Sequence, residues 1–353
     1  MLKIAIDCRM CGSGGIGSFI SELIPYFLEQ NECLLIGTSE QISDFMNCQN
    51  ANFCFCDVKP FSKKELFAFP REVLKKINSY DCFFTPYINI PNGIKIPIFS
   101  TIHDVVFLDE KELTNFVGRL VRKYFYQRAI NISKAIFTVS EFSKSRILKN
   151  LKCNKEIQII YNAAPSYLLN DEKLSYTQKE NRIIFVGNIK KHKGLKTLLD
   201  AFETAQKKGL TLKLTIVGNK DNFRTGDEQT VKRLEKIDSG IEFTGKISNS
   251  KLKELYATSK VLVQPSTYEG FGMPPLEAMI MGTPAIISDI PVFKEIYSKF
   301  PVTFFHAGDS KDLAEKLLEF ERKGKNIDLK NLKNLYSYKR SYELIIDIIK
   351  KYL

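Results

Sequence analysis

Residues 264–289 read QPSTYEGFGMPPLEAMIMGTPAIISD. Two glutamates, Glu269 and Glu277, stand eight residues apart, with Gly270, Gly272 and the pair Pro274–Pro275 between them. A proline pair cannot sit inside a helix but can open one, because N–H groups of the first turn have no intrahelical partner to lose. The pattern predicts a helix that begins near Pro274 or Pro275 and is closed by Gly282. Glu277 is then expected in the first turn and Glu269 in the preceding loop. The apolar runs KVLVQPS before the stretch and TPAIIS within it read as strands. Strand, glycine loop, helix, strand is the repeating unit of a parallel sheet. Its helix N-terminus faces an anion at the strand ends, with two carboxylates for hydroxyl groups.

The same rhythm runs through the chain. KIAID, CLLIGT, NFCFC, DCFFTPY, PIFSTI, AIFTVS and IQIIYN are candidate strands in the first half. RIIFVG, LKLTIVG, IEFTG, KVLVQPS, TPAIIS and VTFFH follow in the second. Helical patterns lie between them, near 17–30, 62–78, 112–132, 141–150, 194–207, 228–237, 248–258 and 274–281. Near-continuous apolar strands separated by helices indicate parallel sheets covered on both faces. The polar stretch DEKLSYTQKEN interrupts the rhythm and marks a boundary. The fold class expected is α/β, with two doubly wound Rossmann-like domains, 1–170 and 181–335. Such sheets take ligands beyond the carboxyl ends of their strands, which places the expected site in a cleft between the two. Residues 336–353, YSYKRSYELIIDIIKKYL, read as one amphipathic helix.

Composition narrows the function classes. With 353 residues, 44% hydrophobic and 26% charged, the chain is globular and long enough for two domains. No run of eighteen apolar residues is present, and MLKIAID leads straight into a strand rather than forming a secretion signal, so a cytoplasmic location is expected. The cysteines at 8, 11, 33, 48, 54, 56, 82 and 153 have no histidines at ligand spacing and read as reduced thiols. The net charge of +12 implies an anionic partner. Between Arg119 and Lys152 nine basic residues stand against Glu141 alone. VGRLVRKYFYQRAI within it reads either as a basic amphipathic helix on an anionic membrane surface or as a helix packed on the sheet with a solvated edge. No recognition motif supports nucleic acid as the partner.

Near the N-terminus, Gly12, Gly14 and Gly17 spell G-x-G-x-x-G. An NAD-dependent oxidoreductase is one reading. Against it, several residues separate the strand end at Asp7 from Gly12, and the second strand ends in Thr38 and Ser39 where a ribose-binding acid belongs. The loop keeps a physical meaning without NAD, since glycines let backbone N–H groups approach an anion at a helix start.

The stretch 264–289 resembles the Glu-x7-Glu signature of retaining glycosyltransferases of family 4, which have the GT-B fold. The resemblance covers almost the whole chain: GGIGSF, STIHDVVFL, FTVSEFSKSRI, FVGNIKKHKGLKTLLDAF and DIPVFKEI occur in the family's order. It implies that Glu269 contacts the donor sugar and Glu277 the ribose of the nucleotide. Backbone N–H groups around Gly272, Met273 and Leu276 face sugar and phosphate. His103 sits beside the transferred sugar, and Lys193 binds phosphate. Gly15 and Gly17 bring backbone near the donor phosphates and the acceptor. Asp104 more naturally caps or braces His103 than attacks anything. The family's usual arginine is missing from NIKKHK, where Asn188 or His192 stands in its place and Lys190 and Lys191 add charge nearby.

The reaction implied is transfer of a hexosyl unit from a nucleoside diphosphate sugar, with GDP-mannose favoured, to a hydroxyl of a glycan or polyprenyl-diphosphate-linked acceptor in surface polysaccharide synthesis. The anomeric configuration is retained, and a front-face route is expected. No Asp-x-Asp stands at a strand end, so no metal and no other cofactor is expected. By the same resemblance the last helix returns to the first domain, and the enzyme works in the cytoplasm or on the inner face of the plasma membrane.

Overall fold

The computed structural model describes residues 1–169, 178–218, 227–234, 240–324 and 336–353. The chain divides into two units, Met1–Asn162 with Ser337–Leu353, and Ala163–Tyr336. In the first, seven strands lie in the order β3-β2-β1-β4-β5-β6-β7. They are β1 Lys3–Asp7, β2 Glu32–Gly37, β3 Ala51–Phe55, β4 Cys82–Thr85, β5 Ile98–Thr101, β6 Ala135–Thr138 and β7 Ile157–Ile159. The second has β8 Glu180–Val186, β9 Lys213–Val217, β10 Ile241–Gly245, β11 Ser259–Gln264, β12 Ala285–Ser288 and β13 Thr303–Phe305, in the order β10-β9-β8-β11-β12-β13. Every pairing is parallel.

Both sheets therefore run outward from the middle in two directions. The order reverses between β1 and β4 in one unit and between β8 and β11 in the other. Helices cover both faces, so the central strands are buried throughout: Ile4, Ala5 and Ile6 in β1, and Val261, Leu262 and Val263 in β11, have no exposed surface. That two-sided burial is why the strands read as apolar runs rather than alternations.

Several boundaries depart from the sequence expectation. The first unit ends at Asn162 rather than at residue 170, because the short helix Ser166–Leu169 packs on the helix Met273–Ile280 of the second unit. Residues 170–177, most of the polar boundary stretch, lie outside the described residues, as do the last three residues of the 228–237 helix. The 62–78 pattern forms two helices, Lys63–Phe67 and Arg71–Ile77. Pro70 stands between them, and its ring and missing N–H end one helix and begin the next. The glycine-loop helix spans Gly14–Gln30, starting three residues before Gly17.

The last helix, Tyr338–Tyr352, belongs to the first unit. Tyr342 is buried: its ring meets Phe27 edge-on at 5.2 Å, and Asn31 Nδ2 donates to its hydroxyl at 2.9 Å. Ser341 Oγ donates to the Tyr161 carbonyl at 2.7 Å. Ile345, Ile346 and Ile349 complete a buried stripe.

The basic helix Phe116–Ile132 is divided along its length. Tyr126, Ala129 and Ile130 are buried, whereas Phe116, Val117, Leu120, Val121 and Tyr124 are exposed. Arg122 lies over the Phe107 ring at 4.2 Å, and Arg128 donates to the Ile90 carbonyl at 2.8 Å. Among the described residues no helix is long and apolar enough to cross a membrane.

Candidate active site

In the second unit the candidate residues gather where the strand order reverses. β11 ends at Gln264, and the chain turns through Ser266 and Glu269 before the helix Met273–Ile280. Gly272 caps that helix at φ +85°, and a Cβ there would lie 2.3 Å from a Phe293 ring carbon. Only glycine fits. With Gly272 as the cap, Met273 is the first helical residue and both prolines fall in the first turn. Glu277 is therefore the fifth helical residue, just past the first turn rather than in it, because the helix starts one residue before the proline pair. Of the first four N–H positions only Met273 and Leu276 carry a proton, since prolines hold the other two. The Tyr297 hydroxyl donates to the Gly272 carbonyl, and burial raises its pKa against a hydrogen bond from the Leu276 backbone.

Lys193 follows β8 across the same reversal point. Its Nζ lies 2.8 and 2.7 Å from the two Glu269 carboxylate oxygens. Ser266 Oγ donates to Glu269 at 2.8 Å. Burial pushes the Glu269 carboxyl up, but the Lys193 ammonium outweighs it and holds the group below its ordinary value. Among the described residues Glu277 pairs with no cation. It accepts a hydrogen bond from the Tyr256 hydroxyl at 2.6 Å, and burial pushes it up to about 7. His192 is pushed down to about 3 by burial and by the adjacent Lys193. Its carbonyl accepts the Thr267 N–H at 2.8 Å, which ties the Lys193 turn to the Glu269 loop. Lys190 precedes that turn, and its carbonyl accepts the Lys193 N–H at 2.9 Å.

The first unit holds the remaining candidates, again around its reversal point. The loop after β1 carries Met10, whose carbonyl oxygen would lie 2.3 Å from a Cβ at Gly17. Gly17 thus lets the loop fold flat on the helix start. Gly15, two residues earlier, faces open space. His103 follows β5, and its Nε2 lies 3.0 Å from the Pro86 carbonyl. A carbonyl only accepts, so Nε2 carries the proton and Nδ1 keeps a lone pair. Burial lowers the His103 pKa to about 4, leaving the ring neutral at neutral pH. Its ring meets Phe19 edge-on at 4.9 Å. Asp104 Oδ1 accepts the Val106 N–H at 3.0 Å, which starts the short helix Val106–Asp109.

At the end of β2, Gln41 Oε1 accepts the Thr38 N–H at 2.9 Å, and Gln41 Nε2 donates to the Arg9 carbonyl at 2.7 Å. An amide thus braces the glycine loop where a dinucleotide fold would offer an acid. Among the described residues, the buried side-chain polar atoms without a partner are Thr101 Oγ1, Asn162 Oδ1, His192 Nδ1 and Gln264 Oε1. Thr101 and Gln264 end their strands, Asn162 follows β7 and His192 lies in the turn after β8, and buried polar groups are normally satisfied. Tyr256, Ser266 and Tyr297 were not legible as site residues. Each is one polar residue in an ordinary helix or loop, and its partner stands three to twenty-five positions away.

Two parallel α/β sheets with polar clusters at both reversal points define the GT-B glycosyltransferase fold. The Anabaena protein HepE, solved in complex with UDP and glucose, has this fold: its TM-score is 0.73 over 99% of this chain and 100% of that one, at 15% identity. Residues 169–341 match the family described as Glycosyl transferases group 1, and this stretch is a glycosyl transferases group 1 domain. The O-antigen chain mannosyltransferase RfbU of Salmonella typhimurium is 28% identical over 229 residues, 62% of this chain and 63% of that protein. The O-antigen chain mannosyltransferase B of Escherichia coli is 25% identical over 231 residues, 60% and 58% of the two chains. The match spans less than two thirds of the length of these curated relatives.

Proposed function

We propose that the protein transfers a hexosyl unit from a nucleoside diphosphate sugar to a hydroxyl of a surface glycan or its lipid-linked precursor, with retention at the anomeric carbon. The observation that carries this reading is the Lys193–Glu269 pair beside the start of the helix Met273–Ile280, inside a glycosyl transferases group 1 domain. Mannose as the transferred sugar is supported by the names of the relatives, which are mannosyltransferases, and GDP-mannose as donor by the resemblance around GFGMPPLEAM and DIPVFKEI.

The chemistry follows from where charge develops. Breaking the anomeric C–O bond leaves positive charge on the sugar ring and negative charge on the departing diphosphate. Lys193 neutralises the diphosphate, and the Met273 N–H adds a fixed dipole. Glu269, freed from part of its contact with Lys193, accepts hydrogen bonds from sugar hydroxyls and favours the cationic ring. Glu277 accepts from the ribose hydroxyls. Neutral His103 offers Nδ1 as an acceptor to a sugar hydroxyl rather than acting as a general acid. The acceptor hydroxyl attacks from the face the diphosphate leaves, and the departing phosphate oxygen takes its proton.

With Lys193 and the helix N-terminus supplying the counter-charge, turnover is proposed to be independent of added metal. The exposed apolar side chains of the basic helix Phe116–Ile132 suit contact with an anionic lipid surface, where a polyprenyl-diphosphate acceptor would lie. A panel of GDP-mannose, UDP-glucose, UDP-galactose and UDP-N-acetylglucosamine, scored by nucleoside diphosphate release with and without EDTA, tests the proposal. Release from one donor, undiminished by EDTA, is expected. Binding of none of them contradicts it.

A further inference from the structure

Phe61 has a backbone that phenylalanine rarely adopts. Its φ is +61°, and among the described residues the only other non-glycine at positive φ is Asn50, a type that tolerates the left-handed region. A strained backbone is usually kept in place by burial of the side chain. Here the ring is 59% exposed.

The Phe61 backbone is tied to a buried polar cluster. The Phe61 N–H donates to Glu65 Oε2 at 2.9 Å. Glu65 is wholly buried and also receives Arg9 at 2.8 Å, the Tyr87 hydroxyl and the Asn89 amide. Arg9, itself buried, is fixed by Asp7 at 2.9 and 2.7 Å and lies over the Phe69 ring at 5.0 Å. The Phe61 ring tilts against Tyr87, with centroids 5.3 Å apart.

Place matters as much as strain. Asp7 ends β1, and Tyr87 stands two residues past the end of β4. The segment after β3 therefore crosses the carboxyl ends of β1 and β4, the reversal point of the first sheet. Open α/β sheets take their ligands there. Phe61 is an aromatic ring held out at that point by side chains that cannot move independently of the β1 loop.

We propose that Phe61 is the stacking platform for a pyranose ring of the acceptor, and that the Asp7–Arg9–Glu65 cluster is the device that holds it out. The inference rests on the transferase reading above. A pyranose presents one face of C–H bonds, which packs on an aromatic ring while its hydroxyls stay hydrated or bonded at the rim. Lys193, Met273 and Glu277, proposed to hold the donor's diphosphate and ribose, are in the second unit, and the parts of the first unit proposed to reach the donor are the glycine loop and His103, so the Phe61 platform is assigned to the acceptor.

Saturation-transfer NMR and calorimetry with octyl α-D-mannopyranoside, octyl glucopyranoside and octyl galactopyranoside, on the full-length protein, test the assignment. At least one glycoside is expected to bind with saturation on its ring C–H protons. Phe61→Ala and Phe61→Gly should weaken it about ten-fold, and Phe61→Trp should hold it within about three-fold. Phe61→Gly should keep the wild-type Tm or exceed it, since glycine relieves the strained φ. Wild-type affinity in Phe61→Ala overturns the proposal. So does loss of affinity accompanied by a collapse of Tm in both small variants, which would make the ring a packing element. Binding of nucleotide sugars to the wild-type protein tests the transferase reading separately. A protein that binds a nucleotide sugar but none of the glycosides overturns the Phe61 assignment alone.

Discussion

Glu269 and Glu277 are the same residue type, eight positions apart, the first buried and the second half-buried, yet they are driven in opposite directions. Lys193 holds Glu269 ionised, whereas Glu277, bonded to the Tyr256 hydroxyl and desolvated, is pushed up to about 7. The folded state binds the Glu277 proton more tightly than the unfolded chain between its ordinary value of 4.5 and about 7. Its contribution to stability is thus full below the lower value and lost as pH rises through the upper one. Glu277→Gln should remove that fall, so its Tm should gain on wild type between about pH 5 and 7.5. Parallel Tm profiles for the two proteins would contradict the burial argument. The Lys193–Glu269 pair gives an asymmetric prediction. Lys193→Ala strands a carboxylate that is 8% exposed, whereas Glu269→Ala strands an ammonium that is 22% exposed and can hydrate. The lysine variant should be the less stable of the two, by on the order of 1–3 kcal/mol in urea unfolding.

The elements that carry these residues were legible to different depths. The central strands announced themselves as apolar runs because both faces of each sheet are covered. Helix starts were harder. The glycine-loop helix begins at Gly14 behind Ser13, and the Glu277 helix at Met273 behind Gly272, so each takes in residues that the sequence pattern assigns to the loop. The break at Pro70 carried its own signal, overridden by the helical periodicity on either side. Lys193 and Glu269 were each singled out by the sequence. Their pairing across 76 residues was not, and neither was the Arg9–Glu65 contact, since no local pattern encodes which loops meet. The glycine loop separates structure from function by substitution. Gly17→Ala drives a methyl into the Met10 carbonyl and should cost about 1–3 kcal/mol. Gly15→Ala meets open space and should stabilise the helix by up to about 1 kcal/mol. If the loop exists for close approach of a ligand, Gly15→Ala should nonetheless lose turnover; a stabilised and fully active variant would remove the loop from the site.

For the whole molecule, the return of residues 337–353 to the first unit makes the chain end part of that unit's core. Removing them uncovers Phe19, Phe27 and Asn31 and deletes the buried stripe of Tyr338, Tyr342, Ile345 and Ile349. A chain truncated after Tyr336 should bind a hydrophobic dye and aggregate on warming. A truncated protein with wild-type Tm would show the helix to be dispensable. The central claim is that the second unit grips a nucleotide sugar through Lys193 and Glu269. The most direct measurement is nucleoside diphosphate release from the preferred donor by wild type and by Glu269→Ala, at matched folded concentration. The account predicts a loss of turnover of about 100-fold or more with the fold intact. Turnover within a few-fold of wild type would contradict it.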